Sequence, residues 1–251
     1  MDYIPADYLP TFHVNPIELN LHRIADLFEQ FVYFNDDMFL LRPVKPEFFF
    51  RKGLPVIPCN LGIPVGLGRN NIHRIILNNK VVLYRSLDVE RLIWTNILKF
   101  INVKELGFRY AAKNLISFTV NRVIIPSTFG HFPLPHLKST FEEIWRTKPQ
   151  IMDITSRCRF RSDDCVNQWL ACAWNMVSGR FYPANEHRKG LYYVLNANSI
   201  AQACNTINRQ SSPQICLNDS LSTSFSDFET CIREVSNAFD KLLPDKSSFE
   251  K

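Results

Sequence analysis

Two Asn-Asp pairs stand directly after short apolar runs. Asn35, Asp36 and Asp37 follow "FVYF", and Asn218 with Asp219 follows "QICL". Carboxylates so placed can hold a divalent cation or orient a substrate hydroxyl. Turn chemistry also favours Asn-Asp after a strand, so a single pair would carry little meaning. Two such strand ends on one sheet would gather three carboxylates in the crevice where open α/β sheets bind ligands. Neighbours in an extended chain point to opposite sides, so Asp36 and Asp37 can face one site only where the turn bends. One is expected to act and the other to brace it, with Asn35 supporting the turn.

His131 in "GHFPLP" is the general-base candidate, because imidazole is the side chain that exchanges protons near neutral pH. Arg157, Arg159 and Arg161 alternate and would share one face of a strand. Ser162 reads as a helix N-cap, so Arg161 beside the free N–H groups would make a phosphate clamp. Asp163 and Asp164 oppose an anion there unless they pair with Arg161 or bind the cation. His22 and Arg23 fall near the end of the first helix, where substrate contact and capping of its carbonyls are equal readings. "GIPVGLGRNN" lacks the full spacing of a phosphate-binding loop.

These residues must be positioned by elements that the pattern outlines. Asn15-Pro16-Ile17-Glu18 has an amide cap, a first-turn Pro and an early Glu. Ile17, Leu21, Ile24, Leu27 and Phe28 continue at helical spacing. Phe31–Phe34 reads as a strand, and residues 42–73 as an extended loop or irregular hairpins. Asp88–Ile101 is predicted helical and Val120–Ile125 a strand. Ser139-x-x-Glu142 caps a short helix, and Ser162 starts another that stops at Gly179. Strands at Leu191–Leu195 and Pro213–Leu217 flank a helix at Ser199–Asn208, and Phe225–Leu242 is the last helix. The alternation predicts an α/β sandwich: a Rossmann-like, mostly parallel sheet flanked by helices.

Composition agrees with a folded domain of this size. The chain has 251 residues, 46% of them apolar and 21% charged, which is globular rather than disordered. A formal charge of +5 suits an anionic ligand or a membrane surface and is too small to imply nucleic acid. Seven Cys with no CxxC pair read as buried thiols of a reducing compartment. Cys158, Cys165 and Cys172, seven apart, could align on one helix face. No signal peptide or transmembrane run is visible, so a cytoplasmic protein is expected, membrane-associated only through partners.

The stretch "NPIELNLHRIADLFEQFVYFNDDMFLLRPVKPEFFF" resembles the second conserved region of the Stealth family of sugar-phosphate transferases. "GHFPLPHLKSTFEEIW" and "RFRSDD" resemble its third region, and "ICLND" with the closing "LLPDKSSFEK" its fourth. The resemblance implies one transferase core over residues 1–251, with the second region in 1–50, the third in 88–180 and the fourth in 213–251. It implies transfer of a hexose-1-phosphate from a nucleotide diphosphate sugar to a sugar hydroxyl in capsule or exopolysaccharide synthesis, with release of nucleoside monophosphate. Asp36, Asp37, His131, Arg161 and Asp219 are its implied catalytic residues. Asn35, His22, Arg23, Lys138 and Asn218 are the implied substrate contacts. Magnesium or manganese is the implied cofactor, held by Asp36, Asp37 or Asp219. Nothing matches the family's first, donor-associated region. The chain is therefore expected to lack its N-terminal part and to need an upstream-encoded segment or an oligomeric partner. Alternatives are a metal-dependent glycosyltransferase that moves the sugar without its phosphate, and a non-catalytic binding subunit.

Overall fold

The computed structural model describes residues 2–59, 61, 71–121, 129–185, 189–219, 225–245 and 248. In chain order the first elements are α1 (Val14–Leu19), β1 (Gln30–Tyr33), β2 (Met38–Leu40), β3 (Phe50–Arg51), β4 (Leu54–Pro58), α2 (Asn71–Tyr84), α3 (Val89–Thr95), α4 (Ile97–Phe100), α5 (Val103–Leu106) and α6 (Phe108–Asn121). There follow β5 (Leu134–Leu137), α7 (Lys138–Thr147), α8 (Pro149–Arg157), α9 (Trp169–Val177), β6 (Tyr182–Ala184), β7 (Leu191–Val194), α10 (Ile200–Arg209), β8 (Gln214–Asn218) and α11 (Phe225–Leu242). The chain divides into two compact units. The larger comprises Met1–Tyr33, Pro46–Gly130 and Leu134–Asn185, and the smaller Phe34–Lys45, His131–Pro133 and Glu186–Lys251.

The larger unit is built around α9. Every residue from Leu170 to Val177 is buried, so this helix, apolar but for Asn175, sits inside its unit. Its surroundings include Phe100, Phe141, Phe181 and Ile57, all fully or almost fully buried. Gly179 ends the α9 segment with φ +72, and its N–H reaches the Met176 carbonyl. One buried amide ties the strands to the helices. Asn114 Nδ2 donates to the Cys59 and Phe100 carbonyls at 2.8 and 2.7 Å, and its Oδ1 accepts from Leu61 N at 3.0 Å.

In the smaller unit β8 is central. It pairs antiparallel with β2, Met38 opposite Cys216, and parallel with β7, Tyr192 opposite Cys216. Ala203 and Ile207 of α10 and Ala238 of α11 recur at helical spacing and pack on Leu41, Ile215 and Leu217. Met38, Phe132 and Cys216 form a second small apolar cluster.

The α/β composition is as expected, but the sheets are small. Among the described residues the strands make one two-stranded and two three-stranded sheets. Three of their pairings are antiparallel, and β4–β6 and β7–β8 are parallel. Several local expectations need correction. The first helix stops at Leu19 and is followed by a single 3-10 turn, Leu21–Arg23. Asn15 does not cap it: His13 stands at the N-cap, and Asn15 is buried with Nδ2 on the Val166 carbonyl at 3.0 Å. The Asp88–Ile101 helix is interrupted at Asn96, although Asp88 does cap it by accepting from Arg91 N. Ser139 lies inside α7, with Leu137 at the N-cap, and bonds Glu29 instead. The arginine run forms no strand, and the helix after it starts at Trp169, not beside Ser162. Cys158, Cys165 and Cys172 accordingly do not share a helix, although every described cysteine is free. Val120 and Asn121 close α6; the rest of that expected strand and nearly all of "GIPVGLGRNN" lie outside the described residues.

Candidate functional site

The smaller unit holds an open cavity of about 460 Å³. Asn35, Asp36, Asp37, His131, Asn218 and Asp219 all line it. The acidic turn and the end of β8 meet there through β2. Met38 N donates to Asn35 O at 3.2 Å, closing a tight turn with Asn in its first position. The chain then enters β2, and Leu217 N donates to Asp37 O at 2.9 Å, locking the turn onto β8. The expectation that the strand before Asn35 shares a sheet with the strand before Asn218 needs correction. β1 pairs with β5, and it is β2 that joins β8.

Asp37 is the hub. His131 Nε2 lies 3.1 Å from Asp37 Oδ2, and Cys216 Sγ donates to the same oxygen at 3.3 Å. Asn35 Nδ2 stands 3.4 Å from the same imidazole nitrogen. With Nε2–H donating to Asp37, the ring's lone pair is on Nδ1, the arrangement of a carboxylate-oriented base. The His131 ring also meets Tyr192 at 6.2 Å between centroids. Burial first, and then the nearby Asp37 carboxylate, hold the Tyr192 phenol above its ordinary range. Burial, and then the Asp37 carboxylate, likewise hold the Cys216 thiol well above the ordinary range, so it stays protonated. Asp37 Oδ1 is buried and finds no hydrogen-bond partner among the described residues. Asp36 is the more exposed of the pair, in keeping with adjacent residues taking different roles.

That orphaned oxygen, with the Asp36 and Asp219 carboxylates and the Asn35 and Asn218 amides on one open cavity, fits a hard divalent cation. Such a cation takes oxygen donors and keeps part of its water shell. The Asp37–His131–Cys216 set, whose ligand atoms all lie within 4.8 Å of one another, has a different character.

His22, Arg23, Lys138 and Arg161 belong to the larger unit. His22 packs on Phe141 and Trp145, and its pKa is lowered to about 4 by burial and then by Arg23. The Arg23 guanidinium lies 4.7 Å from the Trp145 ring centroid, with Nε on Asn20 Oδ1 at 2.8 Å. Lys138 Nζ donates to the Ile24 and Leu27 carbonyls, holding the chain after the first helix. Arg161 is exposed in the segment before α9, and no helix starts behind it. Asp163 there pairs with Arg74 at 3.2 Å. His136 is fully buried, with Nε2 on Gln168 Oε1 at 2.6 Å, and burial lowers its pKa to about 4. Gln168 in turn donates to Glu18 at 3.1 Å, whose pKa burial raises to about 7.

Sequence reasoning missed Cys216 and Tyr192. The signal for Cys216 was the alternation of "QICLN", which puts Cys216 and Asn218 on one face of the strand.

Comparison with known proteins bears on what this cavity serves. Residues 1–56 match the family model described as Stealth protein CR2, conserved region 2. The chain is 34% identical over 250 residues to the receptor polysaccharide phosphotransferase WefC of Streptococcus gordonii, covering 99% of this chain and 72% of that protein. The chain belongs to the Stealth family. It is also 35% identical over 251 residues to the capsular polysaccharide phosphotransferase WcwK of Streptococcus pneumoniae, covering 100% of this chain and 73% of that protein. With the exopolysaccharide phosphotransferase cps2G of Lactiplantibacillus plantarum it shares 32% identity over 257 residues, 99% of this chain and 71% of that protein. The turn that carries Asp36 and Asp37 in this Stealth chain falls inside the family-model match. Among its described residues no helix is long and apolar enough to cross a membrane.

Proposed function

We propose that this Stealth chain is a sugar-phosphate transferase of capsule or exopolysaccharide synthesis, and that the Asp37–His131 cavity is its reaction centre. The three regions that resemble the family are read as one transferase core. The donor is a nucleotide diphosphate sugar and the acceptor a sugar hydroxyl. The acceptor oxygen attacks the phosphorus that carries the sugar, and the bond from that phosphorus to the bridging oxygen breaks. The hydroxyl proton passes to the His131 ring, and the nucleoside monophosphate leaves with the bridging oxygen. Asp37 holds the imidazole and stabilises the cation that forms on it. Asp36, Asp219 and the free Asp37 oxygen would hold magnesium or manganese, with Asn35 and Asn218 as oxygen donors beside them. Such an ion, when bound, offsets the charge of the phosphates. On the larger unit, the resemblance to the family supports Arg161 as a phosphate contact and His22 and Arg23 as substrate contacts. Lys138 supports the substrate surface there from its two carbonyl contacts.

The observation that carries the reading is the 3.1 Å contact of His131 Nε2 with Asp37 Oδ2 on an open cavity that also presents Asp36 and Asp219. The test is nucleotide release from a panel of nucleotide diphosphate sugars with a sugar acceptor and magnesium or manganese. Monophosphate release that disappears in His131→Ala is expected. Diphosphate release would favour an ordinary glycosyltransferase instead, and a folded protein that releases neither would favour a binding subunit.

A further inference from the structure

Cys216 has no part in the phosphate chemistry above, yet its sulfur lies 3.3 Å from Asp37 Oδ2. His131 Nε2 is 3.1 Å from that oxygen, and the three ligand atoms lie within 4.8 Å of one another. Four-coordinate zinc bonds to carboxylate oxygen and imidazole nitrogen at about 2.0–2.1 Å and to sulfur at about 2.3 Å, so its ligand atoms stand about 3.3–3.6 Å apart. Both contacts of Asp37 Oδ2 already come close to that spacing, and the imidazole and the sulfur, within 4.8 Å of each other, would draw together on the ion. One carboxylate, one imidazole and one thiol are a donor set for a borderline-soft cation, not for magnesium, which prefers oxygen and water.

We propose that Asp37, His131 and Cys216 form a zinc site within the transferase cavity, and that zinc bound there blocks the reaction. The site is three-sided, which leaves a fourth position for water, as in open zinc sites. Cys216 sits in the small apolar cluster with Met38 and Phe132, so its sulfur is held in place from behind. The unpartnered Asp37 Oδ1 leaves the carboxylate able to rotate or to bind through both oxygens. On binding, the Cys216 S–H bond breaks, its proton leaves to solvent and the thiolate bonds the metal. The His131 ring proton moves to Nδ1 so that the Nε2 lone pair can bond. Both changes undo the arrangement in which Asp37 orients a proton-accepting His131, so zinc acts as an inhibitor. The inhibition rests on the transferase reading; the binding site does not.

The test is a cobalt titration of the full chain after metals have been stripped by a chelator, with zinc then added as competitor. One equivalent of cobalt is expected to give intense four-coordinate d–d absorption and a thiolate-to-cobalt charge-transfer band, both removed by zinc. Cys216→Ser should lose the charge-transfer band and bind zinc at least about tenfold more weakly, a loss no smaller than outer-shell changes produce. Cys158→Ser should keep the band. Should Cys216→Ser not fold, His131→Gln decides, because its site is partly exposed: zinc binding as tight as in the unaltered chain overturns the proposal. So does a cobalt complex with no thiolate band, or a band that survives Cys216→Ser unchanged. Zinc inhibition is then read separately on nucleotide release. A chain with the cobalt–thiolate spectrum but no transfer counts against the transferase reading alone. An active chain without that spectrum counts against the zinc site alone.

Discussion

Replacing His131 by Gln separates catalysis from folding, and the structure sets the size of both effects. The His131 and Asp37 side chains are 39% and 19% exposed, so their contact is bathed on one side by water. A pair of that kind stabilises a fold by under about 1 kcal/mol. A Gln amide can still donate toward Asp37 Oδ2, which lowers the cost further. It cannot take a proton from an acceptor hydroxyl. A positioned base contributes about 10²–10⁴-fold, and at about 1.36 kcal/mol per tenfold this is about 3–5 kcal/mol on the barrier. Initial rates of nucleoside monophosphate release, measured beside a urea unfolding curve, read both quantities on one protein. The expected result is a rate lower by about 10²–10⁴-fold with unfolding stability within about 1 kcal/mol of the unaltered chain. A variant that keeps more than about a tenth of the rate would refute His131 as the base. So would a rate loss matched by loss of the folded state.

Other substitutions probe other parts of the account. Asp219→Asn, at the exposed end of β8, is expected to raise the magnesium or manganese concentration needed for half-maximal rate while leaving the urea midpoint unchanged. Asn114→Leu removes three buried hydrogen bonds and leaves their backbone partners without this amide. At about 1–3 kcal/mol for each orphaned group, it is expected to cost at least about 3 kcal/mol in urea unfolding. The buried Glu18 gives a pH signature. Its folded pKa of about 7 lies above the ordinary 4.5, so folding retains a proton that the unfolded chain releases. The stability it lends is complete below about pH 4.5 and is lost as pH rises through about 7, on the order of 3 kcal/mol in all. Glu18→Gln is expected to flatten the fall in Tm between about pH 4.5 and 7, as seen by thermal melts. His22 and His136, lowered to about 4, work in the opposite sense. Their contribution is complete above about 6.5 and is lost as pH falls through about 4, which steepens acid unfolding.

Where hydrophobic period dominates, the sequence was a good guide. Phe225–Leu242 was read to the residue, because Cys231, Ala238 and their neighbours keep one face apolar over a long helix. Polar residues misled where they serve distant partners. Asn15 and Glu18 have the residue types of a helix start, but the same groups bond equally well to Val166 and Gln168, far away in sequence. Ser162, Asp163 and Asp164 look like a first turn. Instead Ser162 Oγ accepts from Asp164 N, and Asn78 Nδ2 donates to the Asp163 carbonyl at 2.7 Å. The convergence of Asn35, Asp36 and Asp37 with Asn218 and Asp219 was legible from the repeated Asn-Asp after apolar runs. The means was not, since β2 is three residues long and carries too little pattern to be read. The His131–Asp37 contact joins positions that no local period connects, and the place of Cys216 beneath it follows only from the β2–β8 register.

The fate of the phosphorus next to the donor sugar tests the central claim most directly. A nucleotide diphosphate sugar labelled at that phosphorus would be incubated with the full-length gene product, magnesium or manganese, and a sugar acceptor. Sugar-phosphate transfer places the label in a phosphodiester on the acceptor and releases an unlabelled nucleoside monophosphate. Label leaving in a nucleoside diphosphate, with a phosphate-free glycoside as the product, would contradict it.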